Sequence, residues 1–173
     1  MVKPSSHQHA VLSSTRRVVL QRMQSIHVFD KFNLSHLENI KLGVLRKNAT
    51  QRHGVTRWSI IGGEYEVKVV ELHPVLLSDE WNEYRQFVLY HEFIHCLGFR
   101  AHDATFFHYE RHWPIPESKQ IGSAFTLMLQ QSAATHVWTC PKCQIVVYRR
   151  KQNHGKYMCK SCRVTLQSRA LLK

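Results

Sequence analysis

The stretch His91-Glu92-Phe93-Ile94-His95 sets two histidines four residues apart, with a glutamate directly behind the first. On an α-helix, residues i and i+4 share one face about one turn apart, so both imidazoles can address a single ion. Glu92 projects roughly 100° around the axis from His91, where its carboxylate can hold an ion-bound water without ligating the ion. A third protein ligand would leave one tetrahedral position open for that water, as hydrolytic zinc requires. The pattern predicts one catalytic Zn2+ with Glu92 as the general base.

The flanks suit a helix. Trp81 to Tyr90 runs into the motif without glycine or proline, behind a cap at Ser78 with Glu80 and Glu83 in the first turns. Phe87, Val88, Ile94 and the two histidines fall near one face, and Gly98 offers a stop. Three kinds of third ligand compete: His102, Glu110, and His108 or His112. His102 is preferred, because a turn at Gly98 within the intervening residues can bring its side chain back to the metal. The metzincin spacing HExxHxxGxxH would need its third histidine one residue earlier, where Ala101 stands.

Four of the five cysteines form a second set, Cys140-Pro-Lys-Cys143 and Cys159-Lys-Ser-Cys162, separated by 15 residues. Paired CxxC turns at this spacing predict a zinc ribbon whose four thiolates close the coordination of one structural Zn2+. Between them, Gln144 to Tyr148 is β-branched and aromatic, and Asn153-His154-Gly155 reads as a turn. Cys96, inside the histidine helix, reads as a small buried side chain.

Charge is concentrated at the same end. Of 24 Lys/Arg, nine lie in residues 137–173, where none of the 12 Asp/Glu lies; the rest of the chain is close to balance. Four zinc-bound thiolates would still leave about +7 on this module. Such density suits a polyanion, nucleic acid before an anionic membrane. Tyr148 and Tyr157 stand among Arg149, Arg150, Lys151 and Lys156, an interleaving that can stack and neutralise single- or double-stranded DNA. An apolar fraction of 43% supports a packed core, and no run is long enough to span a membrane. The N-terminal segment lacks a charged-then-apolar secretory pattern, so a soluble intracellular protein is expected; a monomer is expected as well.

The organisation expected is a flexible tail over 1–13, a catalytic domain over 14–136, the ribbon over 137–165 and a basic tail over 166–173. Helical periodicity spans Ser14 to about Asn39, with a break near Asn33. Short strands are expected at Leu42–Leu45 and Val55–Ile61. Gly62-Gly63 then turns into an alternating strand, Glu64–Leu72, with Tyr65, Val67 and Val69 on one face. Further helices are expected from about Asp103 and over Glu117–Ala134.

Taken together, His91–His95, the segment His102-Asp103-Ala104-Thr105-Phe106, the helical segment Phe29-Asp30-Lys31-Phe32-Asn33 and the four-cysteine ribbon resemble the SprT-like zinc metalloproteases, in particular prokaryotic members with a C-terminal ribbon. The resemblance implies an α+β fold: a zincin-like domain of helices around a small antiparallel or mixed sheet, followed by a β zinc ribbon. It implies His102 as the third ligand of the catalytic zinc. It also implies DNA-stimulated proteolysis of DNA-bound proteins, placed in the cytoplasm and nucleoid of a prokaryote or the nucleus of a eukaryote. Two other readings stay open, a zinc-dependent nuclease and a nucleic-acid-binding zinc protein without turnover.

Overall fold

Ser5 starts the first helix, and it does so earlier than the periodicity suggests. The computed structural model describes residues 3–172. Within it, α1 runs Ser6–Gln24 and opens on a capping box, with Ser5 and Gln8 each holding the other's backbone N–H. The expected flexible tail over 1–13 is therefore corrected: from Ser6 onward it is helix, and Leu12 is already buried. Met1 and Val2 lie outside the described residues. The helix also ends sooner than expected, at Gln24. A 3-10 turn, His27–Phe29, and the short α2, His36–Asn39, replace its continuation.

The chain divides into two units, Met1–Gly122 and Ser123–Lys173. In the first, β1 (Leu42–Val44), β2 (Gly54–Ile61) and β3 (Glu64–Leu72) form a sheet of order β1-β3-β2, parallel on one side of β3 and antiparallel on the other. The central strand β3 pairs with β2 over most of its length and with β1 only over Val70–Leu72, and among the described residues the outer edge of β2 is unpaired. A register shift between Arg57 and Trp58 passes over Lys68. The extra residue reverses the pleat beyond it. Tyr65 and Val67 thus lie on the face of Thr56 and Val70, while Val69 shares the other face with Arg57 and Glu71. The single-faced alternation expected for Tyr65, Val67 and Val69 is broken by this bulge. On that second face, Arg57 forms an ion pair with the buried Glu71.

After a 3-10 turn at Asp79–Trp81, α3 runs Asn82–Cys96 between α1 and the sheet. Every residue from Tyr84 to Cys96 is buried except the half-buried His91. A helix apolar on most sides belongs in an interior. Its one buried cation, Arg85, ties three elements together. Nε donates to Thr15 Oγ1 of α1 at 2.9 Å, the guanidinium reaches the carbonyls of Leu76 and Ser78, and it bonds Asn82 Oδ1 at 2.6 Å. Next, α4 (Ala104–Glu110) is capped by Asp103, whose Oδ1 accepts from Phe106 N.

The α5 helix, Ser118–Ala133, spans the division between the units. In the second unit, β4 (His136–Thr139) lies between β5 (Val146–Arg149) and β6 (Gln167–Ala170), antiparallel to both. The expected basic tail over 166–173 is thus corrected. Leu166 is buried in the core of this unit beside Trp138, Cys140 and Cys159, and β6 completes the sheet; Lys173 lies outside the described residues. Among those residues, no helix is long and apolar enough to cross a membrane.

Arg85→Met keeps the volume but strands the buried Leu76 carbonyl, while Ser78 O keeps the Trp81 N–H, so chemical denaturation should show a loss of about 2 kcal/mol. A loss near zero would mean that the guanidinium is dispensable to the packing of α1 on α3.

Candidate metal centre

His91 and His95 leave α3 on one face, and each imidazole is oriented through its Nδ1. His91 Nδ1 lies 2.8 Å from Glu110 Oε1, and His95 Nδ1 lies 2.6 Å from the Phe99 carbonyl. With Nδ1 protonated to donate these bonds, each Nε2 keeps a lone pair. Gly98 makes the return possible. Its φ of 101° lies in the left-handed region open to glycine, its N–H bonds the His95 carbonyl, and the chain then turns toward His102. His102 Nε2 arrives 3.1 Å from Nε2 of both His91 and His95. The Phe106 ring, fully buried, forms an apolar floor with its centroid 4.6–4.8 Å from all three imidazoles.

Three ring nitrogens facing one another at this spacing can converge on one cation. Metal–nitrogen bonds of about 2.0–2.1 Å at tetrahedral angles put donors about 3.4 Å apart. His91, His95 and His102 could hold a metal ion. Burial drives the His95 pKa down to about 4 and also lowers that of His102, keeping both in the neutral form that ligates. Of the other ligands that the sequence left open, Glu110 orients His91 instead. His112 Nδ1 bonds the His108 carbonyl, and neither of those histidines joins the group.

Glu92 is buried beside the group, and its carboxylate is fixed from the sheet. Thr56 Oγ1 donates to Oε2 at 2.7 Å. This contact requires β2 to approach α3 at Gly54. A Cβ there would stand 2.7 Å from Glu92 Oε1 and 2.8 Å from Val88 Cγ1. Burial pushes the Glu92 pKa up, opposed by His91 and by the Thr56 hydrogen bond. A raised carboxylate pKa brings proton transfer closer to neutral pH.

Two depressions flank this point. One, of about 380 Å3, is lined by Arg52, His53, Tyr84, Phe87 and Val88 together with His91 and Glu92. The other, of about 240 Å3, lies along β2 between Thr56, Trp58 and Arg100 on one side and the histidines on the other. His53 Nδ1 and the Tyr84 hydroxyl are 2.6 Å apart, and burial holds His53 near pKa 4, so it is neutral. Sequence reading passed over His53, Tyr84, Trp58 and Arg100, since no motif marks them. Tyr109 packs among Phe29, Phe32 and Phe99, and the exposed Arg111 bonds the Phe107 carbonyl.

In the second unit, Cys140, Cys143, Cys159 and Cys162 converge and could hold a second ion. Cys143 and Cys159 Sγ are 3.7 Å apart, too far for a disulfide and close to the spacing of about 3.8 Å set by bonds of about 2.3 Å to one tetrahedral ion. The two CxxC turns are copies of one knuckle. In each, the residue after the second cysteine, Gln144 or Arg163, takes a positive φ and donates its N–H to the first cysteine's carbonyl. An N–H of Cys143 aimed at the Cys140 thiol draws its pKa down to about 7, toward the thiolate that binds metal. Of the residues expected to meet nucleic acid, Arg149, Arg150, Lys151, Lys156 and Tyr157 are exposed, while Tyr148 is half-buried. Tyr157 is stacked on Trp138, with the Arg149 guanidinium over the same indole.

No family model, curated protein or solved structure matches the chain.

Metal analysis of the purified chain should find two bound ions, one per group. His95→Ala should remove one and Cys140→Ser the other, independently. Retention of both ions by His95→Ala would contradict the three-imidazole site.

Proposed function

We propose that the chain is a zinc-dependent endopeptidase of the SprT-like, zincin type, stimulated by DNA and acting on DNA-bound proteins. The observation that carries this reading is the sharing of one cleft by three convergent imidazoles, a buried carboxylate and a free strand edge. When bound by His91, His95 and His102, Zn2+ would supply Lewis acidity to the scissile carbonyl and lower the pKa of a water. Glu92 is the base. Thr56 occupies Oε2, so Oε1 receives the water's proton and returns it to the leaving amine nitrogen. Glu110 and the Phe99 carbonyl keep the imidazoles aimed throughout.

The substrate lies extended against the outer edge of β2, whose backbone groups pair with another peptide backbone. This assigns the docking role to β2, whose residues Gly54, Val55, Thr56 and Trp58 line the cleft. The edge favours a peptide over the phosphodiester of a nuclease, because a nucleic-acid backbone cannot answer a strand's carbonyls. The ribbon, with a structural zinc on its four thiolates, docks on DNA through Arg149, Arg150, Lys151 and Lys156, with Tyr157 presenting a ring to unpaired bases. Held on the same DNA as its substrate, the cleft meets that substrate at raised effective concentration.

Incubation of zinc-loaded protein with a histone should yield cleavage that rises when DNA is added, and Glu92→Gln should lower the rate by at least about 100-fold. Unchanged cleavage by a metal-loaded Glu92→Gln protein would contradict the base assignment, and DNA binding without any cleavage would contradict the peptidase. Gly54→Ala should retain both metals and its circular dichroism yet lose roughly tenfold or more in kcat, because the new methyl displaces the carboxylate. Full activity in Gly54→Ala would show that the position of Glu92 is not set from β2.

A further inference from the structure

The cleft continues along β2 past the catalytic groups, to a guanidinium that the mechanism does not use. Arg100 follows α3 in the loop toward His102 and lines the cleft of about 240 Å3 with Glu92 and the three histidines. It is held by rings of the hairpin. Its guanidinium lies 3.5 Å from the centroid of Tyr65 and 5.8 Å from that of Trp58. The bulge makes this possible by turning Tyr65 to the catalytic face; an unbroken alternation would point it away.

Stacking fixes the plane of a guanidinium and leaves its N–H edge able to grip a carboxylate with two bonds. No carboxylate of the described residues forms an ion pair with Arg100. Beyond it, the hairpin exposes the apolar side chains of Ile60 and Ile61, with Glu64 and Glu66 exposed at its turn end. We propose that Arg100 is a specificity-determining residue: it binds an Asp or Glu side chain of an extended peptide paired on β2. The proposal rests on the peptidase reading. A strand advances about 3.3 Å per residue, and Trp58 lies two residues beyond Thr56 and four beyond Gly54. The acidic residue therefore falls roughly two to four positions from the bond cleaved. A phosphate of nucleic acid would satisfy the same guanidinium, but only a peptide also satisfies the strand edge beside it.

The test separates binding from turnover. Zinc-loaded, full-length Glu92→Gln protein is titrated with fluorescent peptides of about ten residues, in which a single Glu moves along a neutral sequence and Gln is the control. Anisotropy should show Glu binding about 5- to 20-fold tighter than Gln at one or two positions only. Adding Arg100→Gln should erase the difference with zinc content and circular dichroism unchanged, and Arg100→Glu should transfer the preference to Lys. Equal affinity for Glu and Gln peptides, no binding of any peptide, or a preference that survives Arg100→Gln each overturns the proposal. Wild-type protein is then given the tightest peptide. Selective binding without cleavage sinks the peptidase reading and leaves the Arg100 site standing.

Discussion

β2 meets α3 at Gly54 with no side chain between them, and the geometry of the candidate metal centre depends on that approach. Because the strand can close on the helix, Thr56 reaches the Glu92 carboxylate and the free edge of β2 runs directly past the histidines. A carboxylate so deeply buried is costly to keep ionised, and one hydroxyl and the neighbouring histidine offset only part of that cost. A packed apolar residue would stabilise the same position more simply. Retaining Glu92 there makes sense where a cation and a water give its charge work to do.

The imidazoles follow the same logic one layer out. Glu110 arrives from α4 and the Phe99 carbonyl from the turn after α3, each fixing a ring through Nδ1. His102, on the loop that leads to α4, depends on the left-handed Gly98 for its return. The site is therefore assembled from a helix, the turn that ends it and the helix after that turn, with the sheet supplying the opposite wall. Its members need not be contiguous in sequence, and only the helical part is.

That division explains what could be read in advance. The HExxH pair and the paired cysteines have fixed spacings because one helix and two short knuckles carry them. The strands β2 and β3 were legible from β-branched runs broken at Gly62-Gly63. The bulge at Arg57/Trp58 was not, since alternation alone assigns Tyr65 and Val69 to one face and only pairing shows the extra residue. The start of α1 was missed although its capping box is present at Ser5 and Gln8, because polar composition outweighed the local signal. The role of Glu110 was beyond reach: a carboxylate 19 residues from His91 can ligate or orient, and only the fold decides. Arg100 belongs to no spacing at all; its surroundings, Tyr65 and Trp58, come from strands well before it in the chain.

The central claim, that Glu92 and the three imidazoles direct water at an amide, has a direct chemical readout. Zinc-loaded protein is incubated with a DNA-bound protein substrate in heavy-oxygen water, and the products are examined by mass spectrometry. The account predicts one heavy oxygen in each newly formed peptide C-terminal carboxylate, none in phosphate, and no new termini with Glu92→Gln. Heavy oxygen in a DNA phosphate, or intact protein and DNA after incubation with the fully metal-loaded chain, would contradict it.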